Sequence, residues 1–369
     1  MAPPQILVTG ANYLSRAIRD NLAKEHPQYN ITAISQDPAS LESLREHAQK
    51  SDIVIHAGSP DDSTLIDSLL TGMKHRGKNC FFVFTSGNIT TPGIKMSEQP
   101  TSEGGETKEV PAAQSSIGRS KSTEFGLRDP KVWSDINDIG EIRSLPKQQA
   151  HRRTDNMVFN AAKDYGKHIH TAIVCPPDVY GTQQLKRASI EKKQECRMLP
   201  LYFEEISRQK YALYVGRGQN MRSLVHINDL CKLYSLLIEE AAKSLESGKV
   251  RKECWGDNGF YFSSYDEEVA MRDVSKAAAK IMKSHGLIQQ ENAKSCSLEE
   301  AEDMIDGSGM ALPMFGGNSR SRADRAHKYL GWKPQGPFFW EVLENDLCNF
   351  KGNDPLRDYY PAHMCPQVG

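Results

Sequence analysis

The sequence predicts an α/β protein: a doubly wound, mostly parallel sheet with a smaller domain interleaved toward the C-terminus. Three observations carry this. The chain opens as strand, turn and helix. Short apolar runs then alternate with amphipathic stretches, the arrangement that yields a parallel sheet covered on both faces. Finally, 369 residues exceed what a single compact core usually holds.

Taken in order, Ile6-Leu7-Val8-Thr9 after Gln5 form an apolar run closed by Gly10, the form of a buried parallel strand. Leu14, Ala17, Ile18 and Leu22 recur at helical spacing, with Arg16, Arg19, Asp20 and Lys24 mostly on the other faces. Strand two follows at 31–34, a helix near 40–49, strand three at 52–56, a helix near 62–76 and strand four at 81–84. Residues 91–130 are rich in Ser, Thr, Gly, Pro and charge and read as an irregular surface insertion. Regularity returns with a helix from about 147 to 165, a strand at 169–175, the turn from Pro176 to Gly181, a strand at 224–227 and a helix from Asp229 to about Ala242. The expected organisation is a doubly wound main domain over 1–181, rejoined by 216–242. A smaller substrate or lid domain takes 182–215 and 243–350, and 351–369 form a tail.

Composition narrows the function. Lys plus Arg number 46 against 47 Asp plus Glu, a net charge of −1, which leaves no basic footprint for nucleic acid or an anionic membrane. A small-molecule partner is the expectation. Eight cysteines show no CxxC pair and no zinc-site spacing, so no metal is expected and the thiols read as free in a reducing, cytoplasmic setting. No secretory leader and no run of about 18 apolar residues is apparent, so no membrane partner is expected.

The order of the segments ILVTGA at the N-terminus, DIVIHAGSP at 52–60, FVFTSGN at 82–88, TAIVCPPDVYG at 171–181 and LVHINDL at 224–230 resembles the extended or atypical short-chain dehydrogenase/reductases. Within them the chain is most similar to a fungal, NAD-dependent epimerase/dehydratase-like (NmrA-like) branch. That branch also shows a stretch here carried by Asp138-Ile139, Leu145-Pro146 and His151-Arg152, and a late one carried by 317–320 and 330–334. The resemblance spans residues 5 to about 350 and implies a Rossmann-type scaffold, an NAD or NADP cofactor and, commonly for this architecture, a homodimer. The scaffold hosts reductases, epimerases, dehydratases, lyases and cofactor-sensing regulators, so the reaction has to be read from the site.

In the family a G-x-x-G-x-x-G loop lets the backbone approach the cofactor's pyrophosphate at a helix N-terminus. Here the loop is Gly10-Ala11-Asn12-Tyr13-Leu14-Ser15-Arg16, with Tyr13 and Arg16 replacing the second and third glycines. Tyr13 is expected to crowd the pyrophosphate, while Arg16 can pair with a phosphate and Asn12 tolerates positive φ. Cofactor contacts implied by the resemblance are Gly10, Asn12, Tyr13, Leu14, Asp37, Ala57, Gly58, Ser59, Thr85, Pro176 and Val179. Asp37 stands where a carboxylate would hold the adenosine ribose, though an Asp before Pro38 serves turn chemistry equally well.

Family members use a Ser or Thr after strand four and a Tyr-x-x-x-Lys on the following helix. Aligned on 155–158, this chain has Lys147 at the tyrosine position, His151 at the lysine position and Gly87 near the serine position, after Thr85 and Ser86. His151 is the first candidate for a general acid or base because an imidazole titrates near neutrality. The other reading has His151 and Arg152 tethering the helix to carboxylates such as Asp138. Lys147, Tyr180 and Ser86 complete the candidate catalytic set. Gly87, Asn88 and Arg222 are the candidate substrate contacts, Arg222 by its match to an arginine that meets substrate phosphate in sugar-nucleotide members. The expected function is an atypical NAD(P)-dependent oxidoreductase or epimerase-like enzyme on a small organic molecule, with a secondary-metabolism setting implied by the fungal branch. A redox-inactive isomerase, cyclase or lyase, and a non-catalytic NmrA-like regulator, are the alternatives.

Overall fold

The computed structural model describes residues 3–34, 41–87, 125–146, 149–181, 198–305 and 311–349. Asp37, Asn88 and Lys147 lie outside these, as do most of the insertion and the tail.

The first half alternates as expected: β1 (Gln5–Thr9), α1 (Tyr13–Glu25), β2 (Asn30–Ile34), α2 (Leu41–Lys50), β3 (Ile53–His56), α3 (Ser63–His75) and β4 (Cys80–Thr85). After the short β5 (Trp133–Ser134) come α4 (Ile139–Ser144), α5 (Arg152–Tyr165), β6 (Ile169–Cys175), β7 (Asp178–Tyr180), α6 (Met198–Gln209), β8 (Leu213–Val215), β9 (Met221–His226) and α7 (Ile227–Ser247). The chain continues through β10 (Phe260–Phe262), β11 (Glu268–Ala270), α8 (Met271–Ser284), β12 (Lys294–Cys296), α9 (Leu298–Met304), β13 (Ser321–Arg322) and α10 (Phe339–Asn349).

A six-stranded sheet in the order β10-β6-β4-β3-β1-β2 forms the main layer, and every neighbouring pair in it is parallel. Because side chains alternate across a strand, each strand feeds two cores. Ile6, Val8, Ile55, Phe81 and Val83 meet α1 and α7 on one face. Leu7, Val54, Phe82 and Phe84 meet α2, α3 and α5 on the other. A third core, built from Tyr180, Tyr202, Leu224, Val274, Phe315 and Phe339 among others, holds the smaller domain. From β1 the chain runs to β2 on one side and then crosses back to β3 on the other, a reversal that opens a crevice at the carboxyl ends of these strands.

The structure differs from the sequence reading in four places. The strand at 224–227 starts at Met221 and pairs with β7 and β11 in a separate three-stranded sheet, so 216–242 adds no strand to the main sheet and joins its core through α7 and Val225. Phe260–Phe262, placed by sequence in the smaller domain, extends the main sheet beside β6. The helix expected from about 147 starts at Arg152. The end of the expected insertion, residues 125–130, is tied to the smaller domain: the Gly126 amide donates to the Gly316 carbonyl at 3.2 Å, and Arg320 donates to the Asp129 carbonyl.

The two segments of the late stretch become ties across the fold. Asn318 donates to the Leu127 carbonyl and accepts from the Met221 amide, and the Trp332 indole donates to the Asp229 carbonyl at 2.9 Å. Asp138 accepts from the Ser134 amide and pairs with Lys131 at 2.8 Å. Among the described residues no helix is long and apolar enough to cross a membrane.

Candidate active site

The crevice is lined by the loops that follow β1, β3, β4 and β6 and by the N-terminus of α5. Gly10 takes φ +132, and a Cβ there would lie 2.8 Å from the backbone of Ala57 and Gly58. Only glycine allows the β1 and β3 turns to close this tightly. Below them, Thr9 Oγ1 and His56 Nδ1 are 2.8 Å apart, and burial holds the His56 pKa below its ordinary value.

The first turn of α1 is closed by its own side chains. The Asn12 carboxamide accepts from the Ser15 amide at 2.9 Å, and the Ser15 hydroxyl reaches the Gly10 and Asn12 carbonyls. Tyr13 crosses the crevice, its hydroxyl donating to the Gly181 carbonyl at 2.8 Å. Leu14 packs on the α1-side core, and Arg16 is partly exposed.

The strongest constellation lies after β4. Gly87 has no side chain, and that space holds an imidazole: a Cβ on Gly87 would sit 2.0 Å from His151 Nε2. His151 is the residue before α5 and adopts the left-handed conformation, φ 63 and ψ −7, rare for a side chain larger than glycine. Its Nδ1 is 2.9 Å from Asp61 Oδ1, and the His151 side chain is 20% exposed. Nε2 makes no hydrogen bond among the described residues. Burial alone would lower the imidazole pKa. The hydrogen bond and charge of Asp61, helped by the charge of Asp155, outweigh burial and hold the pKa above its ordinary value.

Behind the ring, Asp155 is buried beside Ser86 and accepts from Arg152 Nη1 at 3.2 Å. Burial holds its carboxyl above the usual aspartate range, against the pull of Ser86 and Arg152. The Cys175 thiol donates to the Gly87 carbonyl at 2.8 Å. Thr85 is committed to the core, its hydroxyl 2.5 Å from the Tyr234 hydroxyl.

The structure thus brings together His151, Ser86, Gly87 and the loop residues Gly10, Asn12, Tyr13, Ala57, Gly58 and Ser59, which approach one another across the β1 and β3 turns. It directs others elsewhere. Tyr180 is buried in the smaller domain's core and donates to the Pro337 carbonyl at 2.8 Å, its pKa raised by burial. Val179 packs beneath α7, and Pro176 is buried. Arg222 is buried in a two-bond pair with Asp178, at 2.6 and 2.8 Å, and is spent on joining β9 to β7. The carboxylate that tethers His151 is Asp61, not Asp138. Asp61 and Asp155 are the residues sequence reasoning missed. Asp61 lies beside Asp62, the N-cap of α3, in a segment that reads as ordinary helix-start chemistry.

One group of metal-ligand types, Glu25, His26 and Glu239, has atoms within 4.8 Å of one another at the far end of α1. Lys232 Nζ, 3.2 Å from Glu25, already supplies a positive charge there.

Residues 148–250 match the model of the NAD dependent epimerase/dehydratase family. The dTDP-glucose 4,6-dehydratase of Streptomyces venezuelae, solved with NAD bound, superposes with a TM-score of 0.56 at 13% identity, covering 97% of this chain and 99% of that one. The UDP-glucose 4-epimerase of Thermotoga maritima superposes at a TM-score of 0.54 and 15% identity, over 96% of this chain and 100% of that one. In sequence the chain is similar to Oxidase ucsJ of Acremonium sp, 23% identical over 337 residues, which cover 89% of this chain and 86% of the relative. On this epimerase/dehydratase fold, the His151–Asp61 pair stands at the carboxyl edge beside β4.

Proposed function

We propose that the chain is an atypical NAD(P)-dependent oxidoreductase or epimerase-like enzyme acting on a small organic molecule, with His151 moving the proton. The observation that carries this is the imidazole resting on Gly87 with Nδ1 bound to Asp61, which leaves Nε2 as the nitrogen that exchanges a proton. The hydrogen bond and charge of Asp61 hold the His151 pKa above its ordinary value, and an imidazole is the side chain suited to proton transfer at this position. Asp61 fixes the ring and favours its charged form. The Asp155 carboxyl beside Ser86 supplies a second charge that responds to the first.

The β1 turn suits a dinucleotide because Gly10 closes it tightly against the β3 turn and it leads into the N-terminus of α1, where a pyrophosphate would bind. Gly10, Asn12, Leu14, Ala57, Gly58 and Ser59 would hold it, with Pro176 shaping the far end. Bound NAD(P) would supply the hydride acceptor or donor. The fold shared with NAD-bound enzymes and a relative named as an oxidase support the reading.

A second reading, a redox-inactive isomerase, cyclase or lyase on the same scaffold, is favoured by the Tyr13–Gly181 bond, which spans the crevice. Titration of the purified protein with NADH and NADPH, followed by a substrate screen of wild type against His151→Gln, separates the two. Micromolar binding, on the order of 8 kcal/mol, with turnover lost in His151→Gln, is the expected result. Undiminished turnover in His151→Gln overturns the role given to the imidazole, and turnover without any dinucleotide establishes the second reading.

A further inference from the structure

The Gly181 peptide is held from several sides. Its carbonyl accepts from the Tyr13 hydroxyl at 2.8 Å, and its amide donates to Asp346 Oδ2 at 3.1 Å. Its backbone sits at φ +85, and the place of its missing Cβ is taken by the His226 ring, 2.3 Å away at Nε2. Asp346 itself is buried, and its Oδ1 has no hydrogen-bond partner. Gly181 is therefore anchored, by α10 and by the end of β9, while Tyr13 is a partly buried side chain on the first residue of α1.

The two ends of this bond belong to opposite sides of the crevice. Tyr13 opens the helix that follows β1, and Gly181 follows β7, which continues from β6. In the sheet β6 and β1 are separated by β4 and β3. A dinucleotide seated with its adenosine end on the Gly10 loop and its nicotinamide near His151 must run between these two sides. Its pyrophosphate would meet α1 at the position of Tyr13, where other members of this fold group place a glycine.

We propose that Tyr13 is a latch that sets access to the cofactor loop: its hydroxyl must leave Gly181 before a pyrophosphate can reach the N-terminus of α1. This rests on the cofactor reading given above. Tyr13 is then an affinity-determining residue, and binding carries the cost of one broken hydrogen bond and one displaced ring. Gly181, fixed by Asp346 and His226, does not follow, so the ring is the moving part.

The test uses the full-length protein, with NADH and NADPH titrated by calorimetry and nicotinamide fluorescence into wild type and Tyr13→Phe. Removing the hydroxyl keeps the ring's packing, and a thermal melt verifies that both proteins are folded. The expected result is binding tighter in Tyr13→Phe by on the order of tenfold, with a further gain in Tyr13→Gly. Equal or weaker binding by Tyr13→Phe overturns the latch and leaves the cofactor reading standing. Absence of binding in wild type and both variants overturns the cofactor reading, and the latch with it.

Discussion

At Gly87 the missing side chain matters as much as any that is present. The imidazole of His151 fills the space a Cβ would need, with Nε2 only 2.0 Å from that position. Gly87→Ala therefore cannot be accommodated without moving the ring away from Asp61. The expected cost is about 1–3 kcal/mol in denaturant unfolding, together with a His151 imidazole pKa, followed by NMR, that falls back toward its ordinary value. Asp61→Asn should lower that pKa with little effect on packing. The linkage has a definite sign. His151 has a raised pKa in the folded state, so the pair's contribution to stability is full below the unfolded value near 6.5 and is lost as pH rises through the folded value. Asp61→Asn should thus destabilise the protein more at pH ~5.5 than at pH ~8.5, measured as the difference in urea midpoint from wild type. His151 was visible in the sequence as a titratable residue in a suggestive position. Asp61 was not, because the bond joins residues 90 apart and the neighbouring Asp62 explains the local acidity as a helix cap.

Helix starts carry the lessons at the scale of elements. The spacing of apolar residues placed a helix from about 147 and so put His151 inside its first turns, whereas α5 begins at Arg152. Periodicity reports which face is buried, but it does not detect a single residue in the left-handed conformation, and here that residue is neither Gly nor Asn. The consequence for the site is direct. His151 projects from a turn held by the Asp155 amide and the Thr154 hydroxyl on its carbonyl, so its position depends on the helix start, not the helix face. The first turn of α1 was better foreseen, since Gly10 and Asn12 have the chemistry their places need. Asn12→Ala removes the cap on the Ser15 amide and should cost about 1 kcal/mol. Gly10→Ala combines φ +132 with a contact at 2.8 Å and should cost more, both read from denaturant midpoints.

For the molecule as a whole, the main sheet was legible in its first five members because β1, β2, β3, β4 and β6 are apolar runs set between helices and turns. The small domain was not, since β8, β11 and β12 have three residues each, too few for any pattern to register, and the equally short β10 hid the sixth strand of the main sheet. Buried ion pairs were equally hidden. Arg222 matched an arginine expected at a substrate, yet it is sealed against Asp178 at 2.6 Å. Arg222→Ala should take from that buried carboxylate its guanidinium partner and cost about 3–5 kcal/mol in unfolding free energy. If Arg222 instead met a ligand, the loss would fall on binding with stability nearly unchanged.

The place of β10 has a consequence for how the chain is made. β6 receives its outer neighbour only from Phe260–Phe262, after α6, β8, β9 and α7 have been laid down between them. At roughly 5–20 residues per second on the ribosome, β6 waits seconds with a bare edge, an invitation to pair with any other nascent strand. A chain halted within α7 would carry the whole Gly10 loop and His151 but lack the strand that closes the sheet. Such fragments should accumulate as aggregates or chaperone-bound material, even though the residues of the candidate site are already complete in them.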